Sequence, residues 1–208
     1  TYFLAVEGIP LAEAVTINKL SPFFVLIMSW MFLRERLSRL QLLAIVLGFT
    51  GVIVILRPGS VTFTLPALLA LVSALFSGAA YTTLRALRKT DSPLVVVFWF
   101  SAAISIVYLP PTLVGGVLPS TRDLVFLLGI GLCGAAGQLF MTQAYRCAPG
   151  GEVAIYGYLS VVFSMSWQIL FFDSVPSGAV FAGGALVLMG GWLNYMGGRI
   201  LKSKTGGT

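Results

Sequence analysis

The sequence contains no histidine and few charged residues. Only 10% of its 208 residues are aspartate, glutamate, lysine or arginine. Without histidine, the chain lacks the commonest metal ligand and the usual proton relay. The two cysteines, Cys133 and Cys147, show neither a zinc-binding spacing nor a disulfide framework. We therefore predict free thiols, no metal site and no cofactor.

Motifs for nucleotide hydrolysis and for catalysis are also missing. The chain has no phosphate-binding loop of the form GxxxxGK[ST], no HExxH motif and no Ser/His/Asp set. ATP therefore does not drive a process directly through this chain, and no side chain qualifies as catalytic. We predict that the protein is not an enzyme.

Long apolar runs dominate what is present. Hydrophobic residues make up 58% of the chain and the mean hydropathy is +0.96, whereas a soluble domain carries about 25% charged residues. A spanning helix needs about 20 mostly apolar residues, and backbone groups in lipid must pair within their own segment. We predict an all-α, polytopic transmembrane bundle with seven full spans, at 11–33, 41–56, 65–85, 93–114, 124–146, 152–172 and 178–197.

The chain begins with a short apolar stretch that resembles the end of an eighth span. The first residue is Thr1 and not Met, and no charged segment of a signal peptide precedes residues 1–7. We expect the chain to be truncated at its N-terminus.

The basic residues indicate an orientation. The net charge is +6, but the basic residues form short clusters between apolar runs, and none makes a face that could follow a nucleic-acid backbone. Positive loops favour the cytoplasm. A cytoplasmic C-terminus leaves only Arg57 and Arg122 outside, and it places these loop residues inside: Arg34, Arg36, Arg39, Arg85, Arg88, Lys89, Arg146, Arg199, Lys202 and Lys204. We predict a multi-pass protein of the cell inner membrane.

Two parts of the chain repeat each other at an offset of 139 residues. Ten positions of 5–51 are identical to 144–190 without a gap, and four of these pairs are Pro10/Pro149, Glu13/Glu152, Ser21/Ser160 and Gly51/Gly190. Matching proline, glutamate, serine and glycine in one register indicates duplication.

The loop charges indicate that the two copies are inverted. The first copy is followed by Arg34, Arg36 and Arg39, whereas the second is followed by Asp173 and no basic residue. The same element therefore enters the membrane from opposite sides. Inverted repeats of this kind are typical of secondary transporters.

Three stretches carry a resemblance to a known family: LSPFF at 20–24, FLRERLS at 32–38, and Gly48 and Gly51 ahead of Arg57-Pro58. They resemble an EamA domain of the drug/metabolite transporter superfamily. The second copy departs from the pattern, with FFDSVPS at 171–177 in place of the glutamate motif. The resemblance implies two five-helix repeats and transport of amino acids, metabolites or related solutes.

On that template, 1–57 is the remainder of the first repeat, 65–198 is the second repeat, and 199–208 is a basic cytoplasmic tail. The first repeat would retain the end of helix 3 and helices 4 and 5. The second would hold helices 6 to 10.

Lys19 is the leading candidate for the substrate cavity. A cation in the middle of a span costs at least ~2.5 kcal/mol on insertion scales, so it should face a cavity or a partner. The alternative is a snorkelling lysine or one paired with Glu13 or Glu152, whose simpler role is to cap helix N-termini. Asn18, beside it, is predicted either to line the cavity or to bond a neighbouring helix.

Further cavity candidates come from polar and aromatic positions within the spans. Tyr156, Ser160 and Trp167 share one helical face with Phe163, which is either an aromatic wall for the solute or a packing surface. Tyr158 aligns with Lys19 and is a reserve candidate. Tyr81 and Gln138 belong to groups of small and polar residues that line a cavity or join helices.

Two residues are predicted to serve the structure. Pro22 removes a backbone hydrogen bond within its span and produces a hinge or a static bend. Glu35, flanked by Arg34 and Arg36, is marked as a family motif residue by the resemblance, and it is read as a structural ion pair or loop anchor.

The sequence therefore predicts a secondary transporter that moves a small metabolite, such as an amino acid or amine, by alternating access. Two alternatives stay open: a permease of narrow specificity for a cofactor-like solute, and a membrane scaffold that transports nothing. The predicted partners are a small-molecule solute and the lipid bilayer, without nucleic acid. The sequence is compatible with a homodimer, and it does not determine the coupling ion or the direction of transport.

Overall fold

A computed structural model describes residues 1–57, 64–87, 91–116, 119–147, 153 and 156–205. The described residues are helical or lie in short links, and none is in a strand. This confirms the all-α fold. The helices are α1 (Tyr2–Gly8), α2 (Leu11–Asn18), α3 (Ser21–Phe32), α4 (Arg39–Leu56), α5 (Leu65–Leu87), α6 (Pro93–Gly115), α7 (Thr121–Cys147), α8 (Leu159–Phe172) and α9 (Gly178–Thr205).

Six stretches of the described chain are long and apolar enough to cross a membrane, and they correspond to six of the seven predicted spans. One of these stretches, Leu11–Phe32, consists of α2 and α3 together. The seventh predicted span, 152–172, corresponds to α8, which is apolar but shorter. Glu152, Arg88 and Lys89, which entered the sequence predictions, lie outside the described residues.

The first span is interrupted at Lys19 and Leu20. The N–H of Leu20 donates to the carbonyl of Ile17 at 3.0 Å, three residues back, so the chain tightens as α2 ends. Pro22 is then the second residue of α3, where its missing N–H leaves no bond unmade. The chain is thus interrupted just before Pro22, so the proline removes no backbone hydrogen bond from the span, contrary to the prediction; its role as a hinge or static bend stays a prediction.

The second copy is interrupted at the corresponding position. A turn at Tyr158 separates helical residues 156–157 from α8, and Tyr158 stands at the repeat position of Lys19. The second copy has Val161 where the first has Pro22. Proline is therefore not required for the break, and the shared position is a property of the repeated unit.

The ends of α3 and α8 also match. Arg34 and Asp173, at equivalent repeat positions, both adopt left-handed backbone conformations, with φ of 53° and 46°. The N–H of the next residue donates back to the preceding helix in both copies: Glu35 to the Ser29 carbonyl at 3.2 Å, and Ser174 to the Gln168 carbonyl at 3.4 Å. The duplication is thus visible in backbone geometry where the side chains have diverged.

Helices α4 and α9 pack antiparallel with their backbones in direct contact. Ser38, just before α4, lies against Gly197 near the end of α9, whereas Gly51 near the end of α4 lies against Gly183 near the start of α9. Small residues permit this approach. These two equivalent helices therefore run in opposite directions, as an inverted repeat predicts.

The chain forms two compact units. The first comprises Thr1–Thr83 and Pro149–Thr208 and contains the core around Ile17, Leu20 and Phe23. The second comprises Leu84–Ala148, in which α6 packs against α7. This division by contacts differs from the predicted division into repeats at 1–57 and 65–198, which stays a prediction.

Candidate functional site

The two helix interruptions of the first unit meet at Lys19. Its side chain is half-buried, and its Nζ would lie 3.8 Å from a Cβ atom placed on Gly157, which immediately precedes the turn at Tyr158. Apart from its chain neighbours and the backbone of its own helix, no other atom of the described chain lies within 4 Å of that Cβ position. A cation thus borders an open space between the two repeated segments.

Asn18 connects α2 to α5. Its Nδ2 donates a hydrogen bond to the Ser73 Oγ at 3.0 Å. This is the interhelical bond that the sequence offered as an alternative to a cavity role. Asn18 lies next to Lys19 in the chain, so the bond also fixes the end of α2 that carries the cation.

The predicted aromatic face is divided by the turn at Tyr158. Tyr156 precedes the turn and is 75% exposed, while Ser160 and Trp167 follow it on α8. Ser160 Oγ donates to the Gly157 carbonyl at 2.8 Å, within the interruption itself. Trp167 is 48% exposed and packs on Phe171, with ring centroids 4.9 Å apart. Ser160 is thus joined to the Lys19 site by a hydrogen bond.

Tyr81 and Gln138 fall in different parts of the molecule. Tyr81 is half-buried on α5 within the first unit, and Gln138 is half-buried on α7 within the second. Their membership of the cavity stays a prediction. Glu35 lies in the link between α3 and α4, outside both helices, and it is half-buried.

Two buried residues near the site were not among the main cavity candidates. Gln168 is 3% exposed, and its Oε1 accepts a hydrogen bond from the N–H of Ala12 at 2.9 Å, joining α8 to the first turn of α2. A glutamine within an apolar span is a visible signal, but a partner 156 residues away is not. Tyr158, the reserve candidate, is 4% exposed and packs against Gly191 and the Phe23 ring, so it belongs to the core.

No group of three or more histidine, cysteine, aspartate or glutamate side chains that could hold a metal ion occurs in the described ranges. The residues at the two interruptions are one cation, Lys19, together with hydrogen-bonding side chains and Gly157. Such an arrangement can bind and orient a solute.

Comparison with known proteins identifies the family. The model of the EamA-like transporter family matches residues 1–57 and 64–196. The pseudopaline exporter CntI of Pseudomonas aeruginosa is 34% identical over 190 residues, which cover 90% of this chain and 67% of that protein. The chain is also similar to a riboflavin transporter of Rhizobium johnstonii, at 30% identity over 87% of this chain and 60% of that protein.

A human protein is also similar to this chain, and a solved structure shares its fold. Human solute carrier family 35 member G1 is 32% identical over 90% of this chain and 55% of that protein. A crystal structure matches the fold with a TM-score of 0.64, at 21% sequence identity, over 97% of this chain and 72% of that chain. The chain spans between about half and two thirds of the length of these curated relatives. It is a multi-pass membrane protein that belongs to the EamA-like transporter family, whose named members are transporters and not enzymes.

Proposed function

We propose that the protein is a secondary transporter that moves a small metabolite across the inner membrane by alternating access. The proposed cargo is an amino acid, an amine or a related solute. The proposed topology has a cytoplasmic C-terminus, because that orientation places the larger number of basic loop residues inside.

One observation carries the proposal: equivalent spans of two repeated segments are interrupted at the same position, and the interruptions meet at Lys19 and Gly157. Interrupted spans supply polar groups at a depth where a continuous helix would present only side chains. Secondary transporters built from repeats bind their solutes between such discontinuous helices near the middle of the membrane.

The packing around the interruptions is consistent with mobile short segments next to a rigid helix pair. Helices α4 and α9 are joined backbone to backbone through Gly51 and Gly183, which leaves little room for sliding. The short segments α2, α3 and α8 meet at turns and not in one continuous rod. We propose that these segments change position around the α4–α9 pair to expose the site to each side in turn.

The name of one relative supports a second candidate, a narrow permease for a cofactor-like solute. That relative is named for riboflavin and is 30% identical. Competition separates the two candidates. Excess riboflavin should inhibit uptake by a cofactor permease and leave uptake by an amino-acid carrier unchanged.

Counterflow in proteoliposomes tests the proposal. The purified protein would be reconstituted into vesicles loaded with a mixture of unlabelled amino acids and riboflavin. Entry of each labelled counterpart would then be followed. A carrier gives saturable entry that is accelerated by solute on the opposite side. Entry no faster than in protein-free vesicles would support a scaffold, and unsaturable entry would indicate a pore; either result contradicts the proposal.

A further inference from the structure

Lys19 is the sole basic residue of the sequence that lies in the middle of a span. The other twelve lysines and arginines of the chain fall at span ends, in loops or in the tail. A cation at this depth is costly unless an anion or a polar cavity compensates it. Lys19 is half-buried, beside the space next to Gly157. Its position therefore calls for a negative group.

The described part of the chain does not supply that group. The seven acidic residues all lie near span ends or in loops. Glu13, on the same helix, is six residues away, which is about 9 Å along a helix axis, and it lies on a different face. No described carboxylate lies within 4 Å of the Lys19 ammonium. The compensating charge is then expected from Glu152 or from a bound molecule.

The surroundings of Lys19 leave room for a bound molecule. Glycine at position 157 places no side chain opposite the ammonium. The Asn18 side-chain amide donates to the Ser73 hydroxyl, and the Ser160 hydroxyl donates to the Gly157 carbonyl. The Lys19 ammonium is thus a charged donor that borders this space.

We propose that Lys19 binds a carboxylate group of the transported solute. A single ammonium matches the single negative charge of a carboxylate and can form a charge-assisted hydrogen bond with it. This assignment rests on the proposed transport function and narrows its cargo to solutes that carry a carboxylate. Lys19 then selects the cargo, and the aromatic residues near the turn contact its remainder.

An unbiased uptake experiment tests the assignment while the cargo is still unidentified. Proteoliposomes containing the purified protein would be incubated with the total water-soluble metabolite extract of the expression host. Solutes retained inside would be identified by mass spectrometry. Wild type would be compared with Lys19→Gln, Lys19→Arg and Glu152→Gln, with Lys202→Gln as a matched change in the tail. Thermal unfolding of each variant would check folding.

The expected result is uptake of solutes that carry a carboxylate. Their initial rate should fall about tenfold or more in Lys19→Gln, because a charge-assisted hydrogen bond is lost. It should largely recover in Lys19→Arg and stay unchanged in Lys202→Gln. Uptake confined to solutes without a carboxylate, or equal uptake by Lys19→Gln, would overturn the assignment and leave the transport function standing.

Two other outcomes are also decisive. If Lys19 forms a structural ion pair with Glu152, both Lys19→Gln and Glu152→Gln should lower thermal stability equally and reduce uptake of all solutes alike. That result would overturn the assignment. If wild type takes up nothing from the extract, the transport function itself fails, and the role of Lys19 fails with it.

Discussion

Gly51 and Gly183 bring the backbones of α4 and α9 into contact, and Ala44 and Gly190 repeat that contact with the copies exchanged. A Cβ atom on Gly51 would lie 2.6 Å from the Gly183 carbonyl oxygen, and one on Gly190 would lie 2.9 Å from the Ala44 carbonyl oxygen. Gly190 corresponds to Gly51, and Gly183 to Ala44, at the repeat offset. Reciprocal contacts of this kind are what a two-fold axis produces.

The first prediction concerns this glycine contact. Gly51→Ala should destabilise the protein by about 1–3 kcal/mol, because the added methyl group forces the helices apart and loosens their packing. Gly131→Ala on α7 is the matched control, since a Cβ there meets no atom within 4 Å and alanine favours a helix by about 0.5–1 kcal/mol. Thermal unfolding in detergent measures both. Equal melting temperatures for the two variants would contradict the close contact.

The second prediction concerns the bond between Gln168 and the start of α2. Gln168→Leu leaves the buried N–H of Ala12 without its acceptor, which should cost about 1–3 kcal/mol. Gln143→Leu makes the same change at an exposed position of α7 and should have little effect. Chemical denaturation of the two variants compares their free energies of unfolding. The structural role of Gln168 would be refuted by a variant as stable as wild type.

The third prediction concerns the space beside Gly157. Gly157→Ala places a methyl group 3.8 Å from Lys19 Nζ, an ordinary contact, and should preserve uptake. Gly157→Leu occupies the room that the solute would need and should slow uptake by about tenfold, the equivalent of ~1.4 kcal/mol of solute binding free energy. The melting temperature should hardly change, because position 157 is exposed. Undiminished uptake by Gly157→Leu would show that the solute does not use this space.

The fourth prediction concerns the sidedness of the two equivalent links. In a background with Cys133→Ser and Cys147→Ser, single cysteines at Arg36 and Ser174 should react with a membrane-impermeant maleimide from opposite faces. These positions avoid Arg34 and Asp173, where the left-handed backbone would strain a cysteine. Labelling of both cysteines from one face would contradict the inverted topology.

The spans were predictable because their signal is local. Apolar runs and flanking charges located the six long apolar stretches to within a few residues, and Pro22 was a local signal for a bend in the first span. The turn at Tyr158 gave no such signal, because Val161 replaces the proline there. This turn could have been predicted only by aligning the two copies and expecting the backbone break at Lys19 to recur at the equivalent residue.

The site was predictable in part. Lys19 stands out in any apolar span because the energetic penalty is large. The position of Gly157 opposite it depends on contacts between segments far apart in the chain, as does the pairing of Gln168 with Ala12. A single sequence contains no measure of such distances. A hydrogen bond to a neighbouring helix was one of the two roles predicted for Asn18, but its partner, Ser73, could be identified only from the structure.

The pairing of α4 with α9 also bears on how such a protein can evolve. If a helix can pack against an inverted copy of itself, one gene can encode both sides of the interface. Any substitution in that gene then changes both halves at once. Duplication of the gene removes that constraint. Lys19 and Tyr158 occupy one repeat position, yet one is a cation beside an open space and the other fills the core. A homodimer encoded by one gene could not have combined them, so this charge asymmetry became accessible only after the two copies could diverge.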